Sequence, residues 1–77
     1  MERREEELIQ QYAVHDEQLR VLYVEHEELK HKLEAFREKH YLTPEQEIDK
    51  KRIQKLKLAA KDRMMEILYR HRHDEAR

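Results

Sequence analysis

Apolar residues recur along the first half of the chain with unbroken heptad spacing. Leu8, Tyr12, His15, Leu19, Leu22, His26, Leu29, Leu33, Phe36 and His40 are separated by alternating steps of four and three. That rhythm puts all of them on one narrow stripe of one long helix, and a narrow stripe packs against another helix. The pattern predicts a helix over residues 2–39, about 50 Å long from Leu8 onward at 1.5 Å per residue. Ile9, Val14, Val21, Tyr23 and Val24 fall off this seam. Val14 and Val21 lie one heptad apart on a flank the seam does not use. They are either tolerated surface valines or part of a second interface.

The stripe stops at His40-Tyr41-Leu42, and Thr43-Pro44-Glu45-Gln46 follows. Thr43 suits an N-cap, Pro44 suits the first helical position, and Gln46 can reach back to the cap as a capping box. The second helix is expected over 44–71. Its stripe is Ile48, Ile53, Leu56, Ala60, Met64, Ile67 and His71, with a second row of Leu58, Met65, Leu68 and Tyr69. Folding the chain back pairs Leu33 with Ile53, His26 with Ala60, Leu22 with Met64 and His15 with His71, all at one constant residue-number sum. The expected fold is all-α: one domain over 1–77, an antiparallel two-helix hairpin with ends fraying at about 1–6 and 73–77. Leu8 and Tyr12 lie beyond the end of helix two and have no partner within such a hairpin. A hairpin also encloses no core, so a homodimer forming a four-helix bundle is expected.

Composition sharpens this picture. Charged residues make up 45% of the chain, and they are mainly Glu, Lys and Arg, which favour helix over disorder when the apolar positions are periodic. There is no Gly, so no phosphate-cradling Gly-rich loop is available. There is no Cys, which excludes disulfides and thiolate metal sites and suits a reducing compartment. No apolar run is long enough for a membrane span, and the first residues do not read as a signal peptide. A soluble, cytoplasmic protein is expected. The net charge of −1 conceals an acidic first half and a basic second half, which attract each other.

Two stretches carry a family resemblance. Leu22-Tyr23-Val24-Glu25-His26-Glu27-Glu28-Leu29-Lys30-His31-Lys32-Leu33-Glu34 is the first. Ile53-Gln54-Lys55-Leu56-Lys57-Leu58-Ala59-Ala60-Lys61-Asp62-Arg63-Met64 is the second. Together they resemble the YdcH-like family of small bacterial proteins, a domain of unknown function. His26, Leu29 and Leu33 match its first helix; Lys57, Leu58, Lys61 and Asp62 match its Lys-rich second helix. The resemblance covers roughly residues 15–70. Ala60 stands where the family usually has Leu, and Lys30 where it often has Asp. The resemblance implies a short antiparallel helical hairpin and no particular activity.

Candidate chemistry is sparse. His15 and His26 share a helix face but stand about 16 Å apart, too far for one metal. His71 and His73 point to opposite sides of a helix. His15 and His71 can meet across the seam, with Asp16 or Asp74 nearby. No metal and no cofactor is expected, and seam histidines read as buried neutral groups that specify register. The chain has no Ser or Cys, and its only Thr is committed to a cap, so an enzyme is not expected. The expected function is a self-associating protein-interaction module. Its candidate interface is Leu8, Tyr12, Val14, Val21, Leu58, Met65, Leu68 and Tyr69. The alternative is nucleic-acid binding by the basic run of helix two, through Lys50, Lys51, Lys55, Lys57 and Lys61. That run spreads around the helix and has no interleaved aromatic. The Met64–Tyr69 stretch could also lie on a membrane surface, but a dimer hides it more simply.

Overall fold

The computed structural model describes residues 2–75. They form three helices: α1 (Arg3–Ala13), α2 (Glu17–Arg37) and α3 (Pro44–Glu75). The chain is all-α over these residues and measures 51 × 19 × 17 Å. Helices α2 and α3 make the antiparallel pair that the apolar stripes require. Asp16, at the start of α2, meets His71 near the end of α3. Farther along, Leu29 and Lys32 share a groove with Leu56.

The start of α3 follows its sequence signal. The Gln46 N–H donates to Thr43 Oγ1 at 3.2 Å, and the Thr43 N–H donates to Gln46 Oε1 at 3.0 Å. Two backbone donors that the helix leaves open are thus satisfied reciprocally. Helix α3 continues to Glu75, about one turn past the expected end at residue 71. Ala76 and Arg77, expected to fray, lie outside the described residues.

The expected single helix over 2–39 is corrected: it is two helices, and the hairpin becomes a three-helix fold. The break falls at Val14-His15-Asp16, with the His15 N–H donating to Tyr12 O at 3.0 Å. Asp16 is extended, with φ −129 and ψ 105, and its Oδ1 accepts from the Leu19 N–H at 3.1 Å. This side-chain cap offsets part of what the helix loses there, an effect of about 1 kcal/mol. The larger return comes from burial. Chain reversal seats α1 against α2 and α3 and leaves Ile9 0% exposed. Burying such a side chain stabilises by about 1.5–3 kcal/mol, and a straight helix would leave it in water.

The core sits where the three helices meet, built from Ile9, Ala13, Leu19, Leu22, Met64, Ile67 and Leu68. Leu8 and Tyr12 pack against it, partly buried, so the expectation that they lack a partner within the chain does not hold. The α1 helix occupies a place that the sequence pattern assigned to a second copy. Toward the α2–α3 turn, among the described residues, no third helix covers the hairpin, and His26, Leu33 and Ala60 are buried in its seam.

Candidate interaction surfaces

The seam of α2 and α3 divides the hairpin into two flanks. On α2, Glu27, Lys30 and Glu34 lie to one side of the His26–Leu33 line; Glu25, Leu29 and Lys32 lie to the other. The first flank also carries Glu6 of α1, whereas among the described residues no α1 side chain lines the second.

The flank without α1 holds an apolar groove of about 330 Å³. Its floor is Leu22, Leu29, Leu56, Ala59 and Ala60. Its rims are Glu25, Glu28 and Lys32 on α2 and Arg63 on α3. Leu56 remains 51% exposed, and Val21 is exposed one position from Leu22. The two adjacent alanines make the groove: a larger side chain at either would fill it. Pattern reading placed Leu56 on the buried stripe and so overlooked this surface. The Ala59-Ala60 pair is its trace in the sequence.

The flank with α1 holds a polar groove of about 340 Å³. Lys30 and Arg37 from α2 converge there with Lys50, Lys57 and Lys61 from α3; Glu6 of α1 lines one end, and Glu27 and Glu34 also contribute. Three of the five candidate nucleic-acid lysines, Lys50, Lys57 and Lys61, are therefore brought together. Lys51 and Lys55 are exposed and do not line the groove. Lys61 Nζ lies 3.9 Å from Glu5 Oε2. Among the described residues no ion pair engages Lys30, Arg37, Lys50 or Lys57. Two of the groove's carboxylates have other contacts: Glu6 Oε1 accepts from the Tyr23 hydroxyl at 2.9 Å, and Glu34 Oε2 lies 3.8 Å from His31 Nδ1.

His26 is 5% exposed, and its Nδ1 has no hydrogen-bond partner among the described residues. Burial pushes the imidazole below its ordinary value because the interior disfavours the charged form. Glu27 opposes the shift, while Lys57 and Lys30 reinforce it. His15, expected in the same seam, is exposed instead, because the break turns it out of the helix. Its expected contact with His71 is taken by Asp16, and His71 also stacks on Tyr12 with ring centroids 5.1 Å apart.

The candidate interface residues separate likewise. Leu68 is buried, and Leu8, Tyr12 and Met65 are partly buried against the three-helix core. Val14, Val21, Leu58 and Tyr69 are exposed. Among the described residues no group of three His, Cys, Asp or Glu side chains is placed to hold a metal ion. No helix among them is long and apolar enough to cross a membrane. The fold and its grooves thus define a small three-helix chain with two differently lined flanks. No protein-family model matches it, and no curated protein or solved structure matches it significantly.

Proposed function

We propose that this chain is a non-enzymatic helical interaction module that associates with a second copy of itself. One observation carries the reading: the apolar groove of Leu22, Leu29, Leu56 and Ala59 is rimmed by Glu25 and Glu28, with Lys32 beyond them, on α2 and by Arg63 on α3. A two-fold axis along the hairpin lays α2 of each copy on α3 of the other. Glu25 and Glu28 of one copy then face Arg63 of the other, twice over, as an isologous interface requires. The alanine pair lets the backbones approach. Sedimentation velocity at tens of micromolar should show a dimer. Leu56→Glu and Ala59→Glu should each give a monomer of unchanged helicity. A wild-type monomer at that concentration overturns the reading.

Nucleic-acid binding is the alternative. The convergence of Lys50, Lys57 and Lys61 supports it; the absence of an aromatic lining and the presence of Glu6, Glu27 and Glu34 weigh against it. A gel shift that weakens steeply with salt tests it. Kinship with the YdcH-like proteins is likewise a proposal. It is supported by His26, Leu29, Leu33, Lys57, Leu58, Lys61 and Asp62, and the stretch it covers corresponds to α2 and most of α3, leaving α1 as an addition.

A further inference from the structure

We propose that the basic groove on the α1 flank seats a partner helix with acidic edges, lying in line with α1 and extending its path toward the α2–α3 turn. Helix α1 runs parallel to α3, since Glu5 lies beside Lys61 and Tyr12 beside His71. Its first turn is therefore directed along the groove, and Glu6 forms the groove's near end. The α1 contact already shows how an acidic helical edge settles here. Glu5 faces Lys61, and Glu6 accepts from Tyr23 across the interface with α2. Past Arg3, where α1 begins, the same trough continues, and among the described residues no third helix lies in it.

The spacing of the free cations suits a helix. Lys30 and Arg37 are one heptad apart on α2, and Lys50 and Lys57 are one heptad apart on α3. Each pair spans about two turns, or 10 Å. Two cations on each wall match a helix carrying Glu or Asp at heptad spacing on both edges, the arrangement of flanking charges in a helical bundle. Between the walls, Leu33 and the 57% exposed Leu58 offer an apolar contact for the stripe between those edges. A polynucleotide would gain from the same cations but meets no aromatic side chain to stack on and cannot use the apolar contact at Leu33 and Leu58. This groove and the self-association groove lie on opposite flanks, so the two readings can fail separately.

The test uses the full chain and a fluorescent synthetic helix of about three turns, with Leu along one stripe and Glu on both edges. Fluorescence anisotropy should show binding that weakens as salt rises from about 50 to 500 mM. The pair Lys50→Glu with Lys57→Glu should weaken it by about tenfold or more, as loss of close charge pairs does. Leu56→Glu on the other flank should leave it unchanged. If the α3 pair disturbs folding by circular dichroism, Lys30→Glu with Arg37→Glu on α2 gives the same readout. No binding at low salt, binding indifferent to both charge reversals, or tighter binding of an oligothymidylate than of the acidic helix overturns the proposal.

Discussion

His71 Nε2 lies 2.8 Å from Asp16 Oδ2, which ties the cap of α2 to the far end of α3. The same aspartate receives the Leu19 N–H through its other oxygen. One carboxylate therefore fixes both the point where the chain reverses and the end of the bundle that the reversal creates. Tyr12 of α1 closes the cluster by stacking on the imidazole.

That arrangement makes Asp16 an acid-sensitive support. The His71 hydrogen bond, then the Leu19 N–H, hold its carboxyl below the usual carboxylate value. A carboxyl with a lowered folded pKa binds fewer protons in the native state than in the unfolded one. Its contribution is complete above about 3.8 and is lost as the pH falls from there through the folded value. Asp16→Ala should lose at least the cap, about 1 kcal/mol, and lower Tm by about 4–8 °C at neutral pH. It should also flatten the fall in stability below pH 4. Thermal melts of both proteins between about pH 7 and 3 check this.

His26 predicts a second, separate pH dependence. Its folded pKa lies below the ordinary imidazole value, chiefly through burial. The unfolded chain therefore takes up a proton first, and stability falls as the pH drops below about 6.5, levelling once the folded value is passed. Among the described residues, Glu27, Lys57 and Lys30 are the charged groups that act on it. Because Nδ1 is buried with no hydrogen-bond partner among the described residues, His26→Leu removes a buried polar atom left unpaired. It should be neutral or stabilising at pH 7. Urea unfolding at pH 7.5 and 5 should differ for the wild type and much less for the variant.

Ile9 tests the seating of α1. Its complete burial makes it the central anchor of that helix. Ile9→Ala should destabilise by about 2–4 kcal/mol in denaturant unfolding, as other large-to-small core changes do. A surface position on a straight helix would lose a few tenths at most. Val14→Ala, at an exposed site in the connection, is the matched control and should fall in that small range.

Why the hairpin was legible and α1 was not follows from these residues. The Thr43–Gln46 box is a local exchange of hydrogen bonds, so four residues suffice to specify it. The pairing of α2 with α3 is written twice, once in each apolar stripe. The break at Val14–Asp16 is written nowhere in the spacing, because the steps of four and three run through it from Tyr12 to His15 to Leu19. No Gly or Pro marks it. Its local traces are Asp16 ahead of Glu17, a good N-cap pair, and Ile9 standing off the seam. Burial of Ile9 and Ala13 outweighs continuity of the stripe, and that is a property of the assembled bundle. The basic groove was hidden for a similar reason: Lys30 and Arg37 come from the acidic half of the chain and join the lysines of α3 only after folding.

A distance across the break decides between the two architectures. The chain contains no cysteine, so Arg3→Cys with His31→Cys gives a clean pair for spin labels. Both side chains are exposed, and Arg3 makes only a surface ion pair with Glu7. In one straight helix the two positions would stand about 42 Å apart at 1.5 Å per residue. In the three-helix fold α1 lies back along α2, with neighbouring axes about 8–10 Å apart. Helix α1 starts near the middle of α2, as the contact between Glu6 and Tyr23 shows. Allowing for the label arms, the distance distribution should then centre under about 25 Å. Adding Asp16→Ala to the pair should broaden it toward longer distances, since removing the cap weakens the reversal without removing the apolar anchor. A single narrow peak near 40 Å in the otherwise wild-type chain would restore the straight helix and remove the seat on which α1 and the neighbouring groove depend.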